Sequence, residues 1–241
     1  MKLSILIPVF NEKNTIEKTI KEVLSVNLSL LGIEKEIIVI DDGSTDGTRQ
    51  ILKTNYRNQM LESDKNQIKV IFHEENQGKG SAIRTGFANA TGDVLIVQDA
   101  DLEYDPKEYV NLLIPILDRR ASVVYGSRMM SIKKNPCLYK RYYWGNKVMN
   151  FITNILFHSN LTDSYTCYKV VEKKILKNIK FRARGFEIEA EITAKLLKNG
   201  YKIIEIPISY NPRSLQEGKK IGWKDAVKGV VTLFQIKFFG R

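Results

Sequence analysis

Short, strongly apolar segments alternate with amphipathic ones through the first half of the chain, and this alternation limits the possible folds more than any other feature. The apolar segments are typical of buried strands, whereas the amphipathic segments have the period of helices. Apolar strands separated by helices indicate a mainly parallel sheet with helices on both faces. We therefore predict a Rossmann-like α/β fold. The predicted strands are residues 3–9, 36–42, 68–74, 93–101 and 121–128, and the predicted helices are residues 14–26, 45–56, 78–90 and 105–118.

Polar residues cluster directly after three of these predicted strands. Asn11 and Glu12 follow the first strand, residues 41–46 (DDGSTD) end the second, and residues 99–103 (DADLE) end the fourth. In open parallel sheets, ligands bind beyond the carboxyl ends of the strands. Because the three clusters would meet at that edge, we predict the functional site there.

Asp99 and Asp101 are the strongest candidates for metal ligands. On an extended segment alternate side chains share a face, so both carboxylates can bind one hard cation such as Mg²⁺ or Mn²⁺. Such an ion could also hold a diphosphate and neutralise a departing phosphate. The alternative is a solvated turn ahead of Pro106, and the position at the sheet edge favours the metal site over it. Glu103 is a further candidate ligand, and Asp105 is predicted to cap the next helix.

Other patterns narrow the chemistry. The turn at residues 41–48 fails as an EF-hand because Lys53 stands where a bidentate Glu is required, but it could present a carboxylate to a nucleobase. Residues 76–86 (NQGKGSAIRTG) resemble a phosphate-binding loop at a helix N-terminus, without the spacing of a dinucleotide site or a P-loop. His73 and His158 are isolated, so we predict structural roles for both.

The charge balance narrows the class of partner. A formal net charge of +11 and a pI near 9.5 indicate an anionic partner, which could be nucleic acid, a nucleotide or a phospholipid surface. The two cysteines, Cys137 and Cys167, are too few for a disulfide framework and fit a reducing compartment. No apolar run approaches the roughly 18–20 residues that span a bilayer, and the N-terminus does not read as a secretory signal. We expect a cytosolic protein, or one attached to a membrane from the cytosolic side.

The second half of the chain is richer in aromatic and basic residues. Residues 138–157 and 185–200 are predicted to be helices, residues 201–210 a strand and residues 211–222 a basic loop. The last predicted helix, residues 223–239, gathers apolar side chains on one side of a helical wheel. It suits packing on the core and lying in a membrane surface equally well. That apolar side comprises Trp223, Ala226, Val227, Val230, Val231, Leu233, Phe234 and Phe238.

Seven segments occur in an order and spacing that resemble a known family. They are IPVFNE, DDGSTDGT, NQGKGSAIRTGF, QDADLEYDP, VYGSR, GFEIEAE and IPISYNPRS, and they extend over essentially the whole chain. Together they resemble the family 2 glycosyltransferases, in particular the dolichol-phosphate mannosyltransferase-like branch that glycosylates polyprenyl phosphates. The resemblance implies a GT-A fold, a nucleotide-sugar donor and inversion at the anomeric carbon. It divides the chain into a catalytic domain at 1–220, with a nucleotide-sugar half at about 1–130 and an acceptor half at about 131–220, and an amphipathic helix at 221–241.

The resemblance also implies roles for individual residues. Asp99 and Asp101 would hold the metal and the diphosphate, with Glu103 as a third ligand where relatives often carry Gln. The catalytic set would be Asp99, Asp101, Arg128 and Arg213. The nucleotide would be bound by Pro8, Phe10, Glu12, Asp41, Asp42, Lys79, Arg84 and Asp99. The acceptor phosphate would be bound by Arg128, Thr166, Lys169, Arg213, Lys219 and Lys220.

These roles imply a metal-dependent enzyme that moves a single sugar from GDP-mannose or a UDP-hexose to a polyprenyl or dolichyl phosphate, at the cytosolic face of a membrane. A lipid phosphate is already anionic near neutral pH. It therefore needs positioning, and a cation for the leaving group, rather than a strong general base. The absence of a candidate catalytic histidine agrees with this chemistry.

Two alternatives stay open. An enzyme of the same fold that glycosylates a soluble or glycan hydroxyl would need a general base, for which Asp163 or a carboxylate of residues 186–191 (FEIEAE) is the candidate. A basic nucleic-acid-binding module would explain the net charge but not the carboxylates at the sheet edge. We therefore expect no nucleic-acid partner.

Overall fold

The structure, a computed structural model, describes residues 1–56, 67–131, 140–213 and 222–240. Its strands form one sheet, and helices connect most of them. The strands are β1 (Lys2–Val9), β2 (Glu34–Asp41), β3 (Gln67–Phe72), β4 (Val94–Val97), β5 (Val123–Ser127), β6 (Lys169–Glu172) and β7 (Ile204–Pro207). The helices are α1 (Ile16–Ser25), α2 (Thr48–Asn55), α3 (Lys79–Asn89), α4 (Tyr109–Leu117), α5 (Lys140–Phe157), α6 (Lys173–Leu176), α7 (Ile188–Lys198) and α8 (Trp223–Phe239).

The sheet has the strand order β3–β2–β1–β4–β6–β5–β7. β1 is parallel to β2 and β4, β2 is parallel to β3, and β5 is parallel to β7. β6 is antiparallel to both of its neighbours, β4 and β5. The prediction of a mainly parallel sheet is confirmed. The antiparallel β6 was not predicted, because an apolar run this short has no recognisable period.

The chain reverses its direction across the sheet between β3 and β4. The first three strands are added outward from β1, and β4 then pairs with the other side of β1. Because crossovers between parallel strands are right-handed, α1 and α2 lie on one face and α3 on the other. Such a reversal point, here between β1 and β4, is where open α/β sheets bind ligands.

β4 ends before the predicted strand does, so Asp99 and Asp101 follow it instead of lying on it. Gln98 anchors the chain at this point, because its side-chain oxygen accepts hydrogen bonds from the hydroxyls of Tyr109 and Tyr168, both at 2.6 Å. The argument that the two aspartates alternate on an extended segment is therefore wrong. They nevertheless stay at the carboxyl edge of the sheet.

The predicted cap at Asp105 is present. Its carboxylate accepts the backbone N–H of Lys107 at 2.9 Å, and Pro106 occupies the first position of the 3₁₀ turn that leads into α4. Proline suits that position because it has no N–H to donate.

The apolar side chains form a main core around the sheet and a smaller core between α5, α7 and α8. The smaller core contains Leu233 and Ile236, so α8 packs on the protein. The helical wheel placed Ile236 outside the apolar side, and most of that apolar side faces away from the core. Its exposed members are Trp223, Val227, Val231, Phe234 and Phe238.

A second exposed apolar stripe lies on α5, the neighbour of α8. Its members follow one another at helical spacing and are each more than half exposed: Trp144 (65%), Val148 (54%), Phe151 (65%) and Ile155 (57%). Within the four described ranges, no helix combines the length and the apolar character required to cross a bilayer.

Candidate active site

The polar clusters that follow β1, β2 and β4 lie at one edge of the sheet. β1 is parallel to β2 and β4 and lies between them, so the carboxyl ends of the three strands are adjacent. Glu12 follows β1, Asp41 ends β2 with Asp42 directly after it, and Asp99 and Asp101 follow β4. The partners of these carboxylates determine what the edge can bind.

The two aspartates that close β2 are buried and fix the neighbouring loop. Asp42 accepts hydrogen bonds from two backbone N–H groups of the loop before α3, at 3.0 and 2.8 Å, and its Oδ1 lies 2.7 Å from Nδ1 of His73. Asp41 pairs with Arg49, whose Nε is 2.7 Å from Oδ2. His73 therefore has a structural contact, as predicted. Contact of Asp41 or Asp42 with a nucleobase stays a prediction.

Two glycines let the loop before α3 press against the segment that precedes α7. A Cβ on Gly78 would lie 2.3 Å from the carbonyl oxygen of Arg184, and a Cβ on Gly80 would lie 2.6 Å from that of Ala183. Gly78 also has a φ of 94°, a conformation that favours glycine. This close approach places Lys79 between the end of β4 and the start of α7.

Lys79 lies within a row of alternating charges. Its Nζ is 2.7 Å from Oδ1 of Asp99 and 3.2 Å from Oε1 of Glu189, and the other oxygen of Glu189 pairs with Lys169. Burial acts to lower the pKa of Lys79, but the Asp99 carboxylate outweighs it and holds that pKa well above its usual value. Burial acts to raise the pKa of Glu189, but Lys169 and Lys79 outweigh it and lower that pKa. Lys79 and Glu189 are therefore both charged at neutral pH.

Asp101 and Glu103 have different surroundings. Asp101 is partly exposed, and its Oδ1 accepts the backbone N–H of Glu103 at 3.1 Å. Glu103 is buried and accepts hydrogen bonds from the hydroxyl of Tyr210 and from the backbone N–H of Arg213, the latter at 2.9 Å. Among the described residues, no group of three or more acidic, histidine or cysteine side chains is arranged to hold a metal ion. Asp99 and Asp101 remain the candidate pair, and Glu103 as a third ligand stays a prediction.

Arg213 connects the segment after β7 to this edge. Its Nη2 lies 2.9 Å from Oε2 of Glu12, and its Nε donates to the carbonyl oxygen of Asp101 at 2.8 Å. A guanidinium is thus fixed beside a candidate metal ligand. An open cleft of about 1230 Å³ begins here, and Lys79 and Asp99 lie outside its lining. The lining includes Glu12, Asp101, Glu103, Tyr210 and Arg213.

Arg128, the candidate for the acceptor phosphate, is buried in an ion pair. It faces Asp163 at two points, with Nε 2.7 Å from Oδ2 and Nη2 2.8 Å from Oδ1. Its guanidinium lies 5.1 Å from the ring centre of Tyr210. Burial acts to lower the pKa of Arg128, but Asp163 outweighs it and raises that pKa well above its usual value.

The other acceptor candidates are distributed differently. Thr166 is fully buried, and its Oγ1 accepts the backbone N–H of Tyr168 at 3.2 Å. Lys169 is buried at the far end of the row of charges that begins at Asp99. Lys219 and Lys220 lie outside the described residues. Contact of any of these residues with an acceptor phosphate stays a prediction.

The remaining nucleotide candidates also lie along the edge or on α3. Pro8 is near the carboxyl end of β1, Phe10 follows that strand, and both are partly exposed. Arg84, on α3, donates to the carbonyl oxygen of Phe181 at 3.4 Å and to Oγ of Ser81 at 3.2 Å. Their roles in nucleotide binding stay predictions.

Glu189 and Tyr210 belong to this site but were not predicted individually. A signal for Glu189 was present in the sequence, because Glu189 and Glu191 alternate with the apolar residues at 188, 190 and 192 in the first turns of α7. A carboxylate buried in such a helix requires a positively charged partner. The sequence contains no comparable signal for Tyr210, because its hydrogen-bond partner Glu103 is distant along the chain.

The fold has a counterpart among solved structures. The fold is similar to that of glucosyl-3-phosphoglycerate synthase from Mycobacterium tuberculosis, with a TM-score of 0.72 and 19% identity, over 97% of this chain and 78% of that one. The GT-A fold predicted from the sequence is therefore confirmed.

The family follows from the sequence itself. Residues 4–180 match the profile of the family described as glycosyl transferase family 2, and the chain belongs to this family. It is 30% identical over 225 residues to a dolichol-phosphate mannosyltransferase of Pyrococcus furiosus. That alignment includes 92% of this chain but only 60% of the relative's length. It is also 30% identical over 232 residues to a UDP-N-acetylglucosamine–dolichyl-phosphate N-acetylglucosaminyltransferase of Methanococcus voltae, over 90% of this chain and 89% of the relative. The prediction of a glycosyltransferase related to the dolichol-phosphate enzymes is confirmed.

Proposed function

We propose that this glycosyltransferase moves a single sugar, with inversion, from GDP-mannose or a UDP-hexose to a polyprenyl or dolichyl phosphate, and that it requires Mg²⁺ or Mn²⁺. The observation that carries the proposal is the pair of carboxylates, Asp99 and Asp101, at the carboxyl edge of the sheet, flanked by Lys79 and Arg213. Relatives whose names contain dolichol phosphate or dolichyl phosphate support the acceptor class.

The carboxylates suit a divalent cation. Oxygen ligands of this kind are those that Mg²⁺ and Mn²⁺ prefer, and the donor's diphosphate together with water would complete the coordination. The cation would neutralise the departing nucleoside diphosphate. The Mycobacterium tuberculosis enzyme was crystallised with Mn²⁺ and uridine diphosphate, which supports a divalent cation without choosing between the two metals.

Lys79 and Arg213 would supply the remaining positive charge. Both are held in place by carboxylates of the protein, since Lys79 pairs with Asp99 and Arg213 with Glu12. Fixed charges of this kind stabilise a transition state without having to reorganise. The planar guanidinium of Arg213 can contact two phosphate oxygens at once.

The contacts of the acidic side chains favour an acceptor that is already anionic. Among the candidate general bases, Asp163, Glu189 and Glu191 are buried and engaged in ion pairs. Glu187 accepts the backbone N–H of Gly185 at 3.0 Å. A hydroxyl acceptor would need one of these groups to take its proton, whereas a lipid phosphate would not.

A soluble acceptor is the second candidate. The Mycobacterium tuberculosis enzyme was crystallised with phosphoglyceric acid. This compound is a small soluble anion, so binding it does not require a membrane. Offering one preparation a polyprenyl phosphate and phosphoglyceric acid, with the same donor, separates the two candidates. The proposal expects transfer to the lipid phosphate.

We further propose that α5 and α8 lie on an anionic membrane surface, on its cytosolic side. The exposed apolar stripes of these helices carry four aromatic residues that are each more than 60% exposed: Trp144, Phe151, Trp223 and Phe238. Lys147, Lys224 and Lys228 are exposed on the same helices. Apolar side chains beside lysines match a surface of acyl chains and anionic head groups.

The donor is tested by thermal unfolding. GDP, UDP and their sugar conjugates are each added with Mn²⁺, and we expect one base series to raise the Tm because ligands that bind the folded state stabilise it. The increase should require Mn²⁺ and should be lost in Asp99→Asn. An unchanged Tm with every nucleotide would contradict the proposal.

A further inference from the structure

Lys79 lies closer to the carboxylate of Asp99 than to that of Glu189, although both are within ion-pair distance. Lys79 donates to Oδ2 of Asp99 at 2.9 Å, and its Nζ is 2.7 Å from Oδ1. The same Nζ is 3.2 Å from Oε1 of Glu189, but Oε1 accepts no hydrogen bond from the described part of the chain and is shielded from solvent. A buried oxygen that has an ion-pair contact but no well-aligned hydrogen bond is only partly satisfied, so its position calls for a physical reason.

Glu189 is fixed from its other side. Its Oε2 pairs with Lys169, and the ammonium of Lys169 also donates to the carbonyl oxygen of Thr166. Glu189 therefore has little freedom to turn towards a different partner. Lys79 has a flexible stem, and it is the group that can move between the two carboxylates.

The four charged side chains, Asp99, Lys79, Glu189 and Lys169, sum to zero. A divalent cation at Asp99 would need carboxylate lone pairs that now face the ammonium of Lys79. It would also repel that ammonium, because the two positive charges would share one carboxylate. Lys79 must then move, and Oε1 of Glu189, already paired with its Nζ at 3.2 Å, is the acceptor that it can approach further.

We propose that Glu189 is a positioning residue that receives Lys79 when a divalent cation occupies Asp99. This inference rests on the proposed function, because it assumes the cation site at Asp99. Without the cation, Lys79 neutralises Asp99. With the cation, Lys79 bonds to Glu189 and stays beside the site as a positive charge for the diphosphate. If Glu189 cannot accept it, Lys79 stays on Asp99 and competes with the cation.

The test is a double-mutant cycle read out by Mn²⁺ binding to the purified full chain, measured by electron paramagnetic resonance of free Mn²⁺. We expect Glu189→Gln to raise the Kd for Mn²⁺ about tenfold in the presence of Lys79, and to change it less than twofold in the Lys79→Met background. Lys79→Met alone should bind Mn²⁺ at least as tightly as the wild type, because the competing ammonium is gone.

A second variant separates positioning from simple charge. Glu189→Asp keeps the negative charge near Asp99 but withdraws its oxygens from Lys79 by about one methylene, so we expect it also to weaken Mn²⁺ binding. Glu36→Gln is the matched control, because Glu36 is a buried carboxylate on β2, away from the carboxyl edge. It should bind Mn²⁺ as the wild type does.

Several results would overturn the inference. They are an equal effect of Glu189→Gln with and without Lys79, wild-type binding in Glu189→Asp, and Mn²⁺ binding that is insensitive to Asp99→Asn. Sugar transfer by the wild type is measured separately. Sugar transfer without coupling between Glu189 and Lys79 would contradict this inference and leave the proposed function standing. Coupling without sugar transfer would support the cation site and this inference but contradict the proposed sugar transfer.

Discussion

The guanidinium of Arg213 lies 2.9 Å from the carboxylate of Glu12, although 201 residues separate them along the chain. The contact joins the segment after β7 to the end of β1, and the Nε of Arg213 adds a hydrogen bond to Asp101. Two distant parts of the sequence thus meet beside the candidate metal ligands. The positive charge that we assign to the diphosphate depends on this connection.

Arg213→Lys tests the role of that guanidinium. Lysine keeps the charge but loses the planar fork that bridges Glu12 and Asp101. We expect kcat/KM for sugar transfer to fall about 100-fold, as when a positioning group is displaced. Arg120→Lys is the control, because Arg120 forms an exposed pair with Asp118 at 3.0 Å, and exposed pairs contribute little. Equal activity of the two variants would contradict the assignment.

Gly80→Ala tests the close approach between the loop before α3 and the segment before α7. The added Cβ would lie 2.6 Å from the carbonyl oxygen of Ala183, so one backbone segment must move. We expect the free energy of unfolding to fall by about 2 kcal/mol, in the range of overpacked sites. Gly145→Ala is the control, since no described atom lies within 4 Å of its Cβ position on α5, and it should be neutral or stabilising. The free energy of unfolding of both variants is measured by denaturant titration. An unchanged value for Gly80→Ala would contradict this packing.

Glu36 gives the stability a defined pH dependence. Burial acts to raise its pKa, but hydrogen bonds from Ser4 at 2.6 Å and Thr91 at 2.8 Å outweigh burial and lower that pKa below its ordinary value of 4.5. Its contribution is therefore complete above pH 4.5 and is lost as the pH falls through the lowered value. We expect Glu36→Gln to cost about 1 kcal/mol at neutral pH, and this cost to shrink below pH 4. An equal cost of Glu36→Gln at every pH would contradict this assignment. Glu34→Gln is the control, because Glu34 is exposed.

Vesicle flotation tests the apolar stripe of α8. We expect the wild type to float with anionic vesicles and Trp223→Ser/Phe238→Ser to bind at least tenfold more weakly, because each buried aromatic contributes about 1.5–3 kcal/mol. Gln235→Ser, on the same helix and exposed, should bind as the wild type. Unchanged flotation of the double variant, or a dimer in place of vesicle binding, would contradict the proposed surface.

The sequence predicted the elements whose signal is local. Apolar strands flanked by helices gave the parallel sheet, and the polar residues after β1, β2 and β4 were assigned to its carboxyl edge. Contacts between distant residues were not predictable in the same way. The pairing of Lys79 with Glu189 depends on Gly78 and Gly80 pressing against the segment before α7, and no local pattern encodes that contact.

The last helix shows the same limit. Its apolar residues were visible, but their number exceeds what one packing face can bury. On the side that packs on α5 and α7, Gly229 lets the ring of Tyr165 approach closely: a Cβ there would lie 3.0 Å from its Cζ. A glycine adds no apolar side chain to a helical wheel. The wheel therefore identified the side of α8 that stays exposed as its apolar side.

Transfer of sugar to a lipid phosphate is the most direct test of the central claim. Wild-type protein is incubated with labelled GDP-mannose or UDP-hexose, a polyprenyl phosphate in vesicles, and Mn²⁺, with Asp101→Ala and the exposed-site control Asp118→Ala in parallel. We expect labelled lipid of inverted anomeric configuration from the wild type and the control, none after chelation of the metal, and at least about a 100-fold lower rate for Asp101→Ala. Full transfer by Asp101→Ala, or label that enters only a soluble hydroxyl acceptor, would contradict the account.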